Sequence, residues 1–197
     1  MQNPAAAPIV LASSSSYRRG LLDRFLDEYE TVSPNVDETD DGTEPPEYFV
    51  SRLAREKAEA VSSAHRDALI IGADQIAVLD GQVLGKPGDL RTAIEQLLAA
   101  SGKAVQFLTA VCVLDPAGRT RHEHIDRTTV RFRQFDLRLA ETYLRHDQPY
   151  DCAGSFKIEG AGFVLFESVR TDDPTALIGL PMIWLAETLR KLGYLLP

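Results

Sequence analysis

The stretch "IVLASSSSYRRGLLDRF", residues 9–25, decides how the fold begins. The apolar residues 9–12 are typical of a buried strand, and the four serines at 13–16 end that run abruptly. Leu21, Leu22 and Phe25 then recur on one side of a helix. The stretch therefore predicts a strand, a serine-rich turn and a helix in direct succession.

Three explanations compete for the four consecutive serines. A flexible linker is disfavoured, because linkers normally join separate domains and this segment lies between a strand and a helix. A helix with a serine cap remains an equal alternative to a phosphate-binding turn. In such a turn, Ser13 and Ser15 supply hydroxyl donors, free backbone N–H groups face the anion, and Arg18 grips phosphate oxygens with two parallel hydrogen bonds. Arg19 is expected to face solvent.

The composition favours one cytoplasmic globular domain. The 197 residues are 44% hydrophobic, and a formal net charge of −8 argues against a broad electrostatic grip on nucleic acid polymers. Small anions remain suitable ligands, since they need only a local cluster of Lys and Arg. No run is long and apolar enough to cross a membrane, and "MQNPAAAP" lacks the pattern of a secretory signal. Cys112 and Cys152 have no metal-type spacing and are expected to be reduced thiols.

Strand and helix patterns alternate along the rest of the chain, which predicts an α/β fold. "ALIIGADQIAVLDGQVLGKP", residues 68–87, predicts a near-continuous strand followed by a hairpin at "DG". Two long strands are predicted around the turn "DPAG", and a further strand over "GFVLFESVRT", residues 162–171. Helical spacing is found over 47–64, 89–101 (with Asp89 as its cap), 136–146 and within 180–197. We expect a single domain over residues 1–197, with residues 1–8 as a loose N-terminal extension.

Acidic residues provide two candidate groups for chemistry. Asp74, followed by Gln75, lies within a predicted apolar strand, where an unpaired carboxylate would be costly. It is therefore expected to pair, to bind a metal or to act in acid–base chemistry, with a structural role at a strand end as the alternative. Asp37 and Glu38 begin an acidic loop. A solvated loop is the default interpretation, but beside bound phosphates such carboxylates hold Mg²⁺ or Mn²⁺.

Two lysines and a glycine-rich segment add further candidates. Lys57 shares a side of its predicted helix with Leu53 and residues 60–61, and Lys86 lies in a Gly–Lys–Pro turn. Taken singly, each lysine is more often a surface residue than a functional one. The segment "CAGSFKIEGAG", residues 152–162, suits either a binding loop that approaches a ligand closely or a simple turn. The sequence gives no support for a nucleophilic hydrolase with a Ser–His–Asp or Cys–His arrangement.

The ordered combination of these motifs resembles a known family. "ASSSSYRR", "VDET", "REKA", "GADQ", "GKP" and "CAGSFKIEGAG", in this order, resemble the Maf family of nucleoside triphosphate pyrophosphatases. The resemblance runs from Ile9 to Gly193; no single motif is decisive, but the combination is highly specific. "GADQ" and "GSFKIEG" are more similar to the branch that acts on 7-methyl-GTP than to the branch that acts on dTTP and UTP.

The resemblance implies both an activity and an architecture. It implies a hydrolase, dependent on Mg²⁺ or Mn²⁺, that cuts between the α and β phosphates and releases a nucleoside monophosphate and pyrophosphate. It also implies an elongated, twisted mixed sheet flanked by helices, two lobes around a central cleft, and a homodimer. Two alternatives stay open: a broader pyrophosphatase for modified or pyrimidine triphosphates, and a nucleotide-binding division regulator with little turnover.

The resemblance further implies roles for nine residues, and the serine-rich turn adds Ser15 as a tenth candidate. Asp74 falls on the proton acceptor, and Glu38 and Asp74 are expected to hold the metal. The expected substrate-binding residues are Ser13, Ser15, Arg18, Lys57 and Lys86, and the expected determinants of base choice are Tyr17, Gln75 and Glu159. Ser16 departs from the proline usual in the family, and Tyr17 stands where the most similar branch has tryptophan. We expect Tyr17 to stack on the base and Glu159 to accept the two N–H donors of a guanine.

Overall fold

The computed structural model describes residues 7–116 and 120–197, and a mixed sheet of seven strands forms its centre. The strands are β1 Ile9–Ala12, β2 Glu30–Val32, β3 Leu69–Leu79, β4 Gln82–Leu84, β5 Ala104–Leu114, β6 Arg121–Phe132 and β7 Phe166–Arg170. The α-helices are α1 Ser16–Leu22, α2 Pro46–Ser62, α3 Leu90–Ala100, α4 Leu137–Asp147 and α5 Met182–Lys191. The strand order is β2-β1-β3-β5-β6-β7, and β4 pairs with β3. Strand β1 is parallel to β2 and β3, and the other pairs are antiparallel, which confirms the predicted α/β class.

The element boundaries follow local sequence chemistry. The side chain of Asp89 accepts a hydrogen bond from Thr92 N (2.8 Å) and caps α3 as predicted. Asp80 and Gly81 have φ of 51° and 83°, the left-handed conformation that a two-residue hairpin between β3 and β4 requires. Gly193, with φ of 89°, follows the end of α5. None of the helices in the described part of the chain is long and apolar enough to span a membrane.

Two details differ from the sequence-based expectations, and two predicted segments fall partly outside the described residues. The strand predicted over residues 162–171 begins only at Phe166, because Gly162–Leu165 form a 3-10 turn in which Val164 N donates to Ala161 O (3.0 Å). On α2, Lys57 is buried on the predicted side, but Ala60 is exposed. The turn "DPAG" and the extension at 1–8 fall partly outside the described residues.

The core divides into two clusters on one face of β3. Ile71 and Ala73 pack with α1 and α5, whereas Ala77 and Leu79 pack with α3 and α4. Gln75 stands between them on the same face, since side chains alternate along a strand. The opposite face of β3 is covered by α2. Gln75 lines the cavity described below from this face, and Asp74, on the face covered by α2, lines the same cavity.

Candidate active site

The serine-rich turn is held together by its own hydroxyl groups. Ser13 is buried, and its Oγ accepts hydrogen bonds from Ser15 N (3.1 Å) and Arg18 Nη1 (3.3 Å). Ser15 is the N-cap of α1 and accepts from Arg18 N (3.3 Å). The helix-capping explanation is therefore confirmed for Ser15, and the serines also line the cavity described below, while phosphate binding by the turn stays a prediction. Two of the backbone N–H groups expected to face an anion are already used within the turn.

Arg18 is anchored more firmly than the sequence indicated. Its Nε donates to Gly179 O (3.0 Å), while Nη1 donates to Ser13 Oγ. These contacts use two of the five N–H donors of the guanidinium, and the predicted grip on phosphate through two parallel hydrogen bonds stays a prediction for the remaining donors. Burial lowers the pKa of Arg18, and the negative charges of Asp74 and Glu38 oppose that shift. Arg18 faces the cavity as a fixed positive charge.

Lys57 and Asp74 form a buried ion pair at the centre of the site. Lys57 Nζ lies 2.6 Å from Asp74 Oδ1, and the two residues are only 5% and 7% exposed. The same Nζ lies 2.6 Å from Glu38 Oε1, and the exposed Lys86 Nζ lies 3.6 Å from Glu38 Oε2. The side chains of Arg18, Glu38, Lys57, Asp74 and Lys86 are called the charged cluster below. Its three cations and two carboxylates face one hollow.

The charged cluster keeps Glu38 ionised. Partial burial raises the pKa of Glu38, but the hydrogen bond and charge of Lys57, with smaller contributions from Lys86 and Arg18, more than offset this effect. The pKa of Glu38 therefore lies below its ordinary value. The carboxylate stays available as an oxygen ligand at neutral pH.

Gly72 allows α2 to approach β3 closely enough for the Lys57–Asp74 pair to form. A Cβ at Gly72 would lie 2.7 Å from Ala58 N and would overlap Ala54 O, both on the helix backbone. No side chain fits there without displacing the helix. The glycine of "GADQ" therefore sets the separation of the elements that carry Lys57 and Asp74.

A second set of side chains surrounds Tyr17. Tyr17, Asp151, Cys152 and Glu159, called the tyrosine group below, all line the cavity. The Cys152 thiol lies 3.7 Å from Tyr17 Oη, and burial raises the pKa of Cys152 to about 12, so that the thiol stays protonated. Burial also raises the pKa of Tyr17. Although Glu159 lies at the exposed side of the cavity, partial desolvation raises its pKa above the ordinary value.

Gln75 reaches the cavity between these two sets. Its Nε2 donates to Thr109 Oγ1 (2.9 Å) and to Ala176 O (2.8 Å), and Thr109 Oγ1 donates to the same carbonyl (2.9 Å). The amide nitrogen is thus committed to holding a 3-10 turn, Ala176–Ile178. Gln75 is an expected determinant of base choice, and among the described residues its Oε1 is the part of the amide that has no protein partner.

All ten residues singled out from the sequence line one cavity of about 290 Å³. They are Ser13, Ser15, Tyr17, Arg18, Glu38, Lys57, Asp74, Gln75, Lys86 and Glu159. The sequence did not single out the segment at residues 177–179, which also lines the cavity and anchors Arg18. This segment contributes mainly backbone carbonyl groups, which any residue type can supply. The available signal in the sequence was the Gly–Leu–Pro at residues 179–181, which indicates a turn. Asp151 and the Phe107 and Phe156 rings were missed as well.

Known proteins match the chain over nearly its whole length. The family model described as "Maf-like protein" matches residues 8–192. The chain is 49% identical to proteins named 7-methyl-GTP pyrophosphatase from Alcanivorax borkumensis (96% of each chain), Pseudomonas syringae pv. syringae and Xanthomonas axonopodis pv. citri (96% of this chain and 98% of each relative). These matches span nearly the whole chain, including both the charged cluster and the tyrosine group.

Proposed function

Because the chain belongs to the Maf-like protein family, we propose that it hydrolyses nucleoside triphosphates at the anhydride between the α and β phosphates. The products are a nucleoside monophosphate and pyrophosphate. One observation carries the proposal: a buried carboxylate, Asp74, shares a hollow with three cationic side chains. A protein that only bound nucleotides would need the cations but would not need an acid that activates water.

The charged cluster supplies what phosphoryl chemistry requires. Such reactions depend on positioning and on neutralising charge at the transferred and leaving groups, and Arg18, Lys57 and Lys86 provide that neutralisation. Asp74 orients the attacking water and accepts its proton. As Asp74 becomes neutral, its attraction for Lys57 weakens, and the ammonium is released toward the pyrophosphate, where negative charge is growing. Proton acceptance and leaving-group stabilisation are thereby linked through one hydrogen bond.

A divalent cation, Mg²⁺ or Mn²⁺, fits the carboxylates present. The described residues contain no group of three or more His, Cys, Asp or Glu side chains arranged to hold a metal by themselves. Mg²⁺ is commonly held by only one or two carboxylates together with substrate phosphates, and Glu38 and Asp74, both bonded to Lys57 Nζ, supply such a pair. When bound, the cation neutralises phosphate charge. Lys57 Nζ lies between the two carboxylates.

We further propose that the preferred substrate is 7-methyl-GTP. Methylation at N7 makes the guanine ring cationic, and a cation is favoured by an aromatic face and by nearby negative charge. The tyrosine group offers both, with Tyr17 beside Asp151 and Glu159. A carboxylate also matches the N1–H and exocyclic amine of guanine. The names of the relatives are in line with this preference.

The cellular setting is proposed from the family resemblance and the sequence. We propose that the protein acts in the cytoplasm as a homodimer, the state that the resemblance implies. Light scattering coupled to size-exclusion chromatography measures the mass of the particle directly. A particle with the mass of one 21.7 kDa chain at micromolar concentration would contradict the dimer.

A panel of nucleoside triphosphates tests the activity. The purified protein is incubated with 7-methyl-GTP, GTP, dTTP, UTP and CTP, each with Mg²⁺, Mn²⁺ or EDTA, and pyrophosphate and orthophosphate are measured separately. We expect pyrophosphate only, a dependence on the metal, and the highest kcat/KM for 7-methyl-GTP. Release of orthophosphate would place the cut at another anhydride, and tight binding without turnover would favour the division-regulator alternative.

A further inference from the structure

One side chain outside the cavity joins two of its walls. Gln96 lies on α3, and its Nε2 donates to Gly85 O (3.0 Å), directly before the cavity residue Lys86. Its Oε1 accepts from Ser155 Oγ (2.5 Å), in the glycine-rich loop between the cavity residues Ala153 and Phe156. A single amide therefore connects the turn of the charged cluster to the loop of the tyrosine group.

The loop end of this bridge is rigidly set. Ser155 is 0% exposed and has φ of 61°, a left-handed conformation that is uncommon for a residue with a side chain. The neighbouring Gly154 is also left-handed, and a Cβ there would lie 2.8 Å from the Phe107 ring. Gln96 Oε1 is the acceptor that the described residues provide for the buried Ser155 hydroxyl. Loss of that acceptor would leave a buried donor unsatisfied, which is costly.

The turn end is fixed on both sides of Lys86. Gly85 is held by Gln96, and Gly88 N donates to Tyr150 O (3.0 Å), the residue before Asp151. The Lys86 turn is thus tied to the loop at two points. Within the described part of the chain, the exposed Lys86 side chain has only the 3.6 Å contact with Glu38 to define its position. These backbone hydrogen bonds therefore determine where its charge lies.

We propose that Gln96 is a positioning residue that fixes the spacing between the phosphate-binding and base-binding parts of the site. The proposal rests on the proposed function, since it takes Lys86 to contact the phosphates and the residue 150–160 loop to contact the base. A nucleotide carries both groups at a set separation, and two subsites held at that separation bind the joined ligand far better than either fragment. Loosening the bridge weakens binding of the whole nucleotide without weakening binding of its parts.

A fragment comparison tests this role. Gln96→Met keeps the length of the side chain and removes both hydrogen bonds, and Gln106→Met on the exposed side of β5 is the matched control. Dissociation constants are measured by calorimetry for tripolyphosphate, for 7-methylguanosine and for the α,β-methylene analogue of 7-methyl-GTP, which cannot be cut at the proposed bond. We expect Gln96→Met to raise the dissociation constant of the analogue by about tenfold or more, while the dissociation constant of each fragment changes by less than about threefold. Gln106→Met should change none of them.

Two results for Gln96→Met would overturn the proposal. One is an affinity for the analogue within twofold of the wild-type value. The other is an equal proportional loss of affinity for the analogue and for both fragments, which would indicate a general loosening of the site. The measurement is of binding, so it tests the role of Gln96 even if the wild type releases no pyrophosphate. Absence of pyrophosphate release would overturn the proposed function and not the role of Gln96. Gln96→Glu provides a second variant if Gln96→Met folds poorly. Its carboxylate still accepts from Ser155 but cannot donate to Gly85, and we expect an intermediate loss confined to the analogue.

Discussion

Lys57 Nζ lies 2.6 Å from Asp74 Oδ1 and 2.6 Å from Glu38 Oε1, so that one ammonium joins two carboxylates. Charge pairs as buried as Lys57 and Asp74 contribute little net stability when intact, because desolvation offsets their attraction. Removal of one partner is costly, since the other charge is left buried and unpaired. The arrangement is therefore better explained by chemistry than by folding stability.

Asp74→Asn tests the proton acceptor. The amide keeps the size of the carboxylate but cannot accept a proton from water, so we expect kcat to fall by on the order of 10²–10⁴ with saturating metal and little change in substrate affinity. Pyrophosphate release measures kcat, and calorimetry with the α,β-methylene analogue measures affinity. Asp172→Asn, at an exposed position outside the cavity, serves as the control. A near-normal kcat for Asp74→Asn would remove Asp74 from this role.

Lys57→Met tests the ion pair itself. With Asp74 left buried and unpaired, we expect the free energy of unfolding to fall by about 3–5 kcal/mol, measured by urea denaturation at neutral pH. The double variant Lys57→Met with Asp74→Asn should lose less stability than the two single variants added together, since neither charge remains. It should nevertheless be inactive. Simple additivity would mean that the two side chains do not interact in solution.

Sheet register explains why separate motifs could be predicted to meet. Strands β1 and β3 are parallel neighbours with Ala12 opposite Gly72, so the serines after β1 lie beside Asp74 on β3. Lys57 lies at the same site because α2 packs on the face of β3 that carries Asp74. Asp74 and Lys57 could be singled out because charged side chains are costly to bury, and a fold that buries them has to pair their charges.

Other parts of the site could not be predicted from residue types. Arg18 is held by the carbonyl of Gly179, and Gln75 by the carbonyl of Ala176, and any residue supplies a carbonyl. Gln96 is an ordinary polar residue on an amphipathic helix, and only its two partners reveal the bridge. The 3-10 turn at Gly162–Leu165 takes the place of the first four residues of a predicted strand, because the apolar pattern of a short segment does not distinguish the two structures.

Gly72 and Gly20 form a matched pair for testing the approach of α2 to β3. A methyl group at Gly72 overlaps helix backbone, so Gly72→Ala should lower the free energy of unfolding by about 1–3 kcal/mol or more and reduce kcat by moving Lys57 away from Asp74. Gly20 is exposed within α1, and a methyl group there would meet no atom within 4 Å apart from its own stretch of helix. Gly20→Ala should therefore raise the free energy of unfolding by about 0.5–1 kcal/mol. Thermal and urea unfolding, with pyrophosphate assays, measure both effects. An active, fully stable Gly72→Ala variant would contradict the close packing.

Glu159→Gln tests the preference for a cationic base, and pH tests it independently. The isosteric amide has no charge, so the ratio of kcat/KM for 7-methyl-GTP to that for GTP should fall toward one, chiefly through the methylated substrate. Desolvation raises the pKa of Glu159 above the ordinary 4.5, which means that the carboxylate gains its proton at a higher pH than a free glutamate does. The wild-type ratio should therefore decline as the pH is lowered toward and through this raised pKa, and the Glu159→Gln ratio should stay flat.

The same raised pKa fixes the sign of the stability effect. Ionising Glu159 is harder in the folded protein than in the unfolded chain, so above the folded-state pKa the charged group opposes folding. Glu159→Gln should accordingly be neutral or slightly stabilising at neutral pH and should lose that advantage below the unfolded pKa, where both states are protonated. Urea unfolding at neutral and acidic pH measures this. A large stability loss at neutral pH, with unchanged base selectivity, would assign Glu159 a structural role instead.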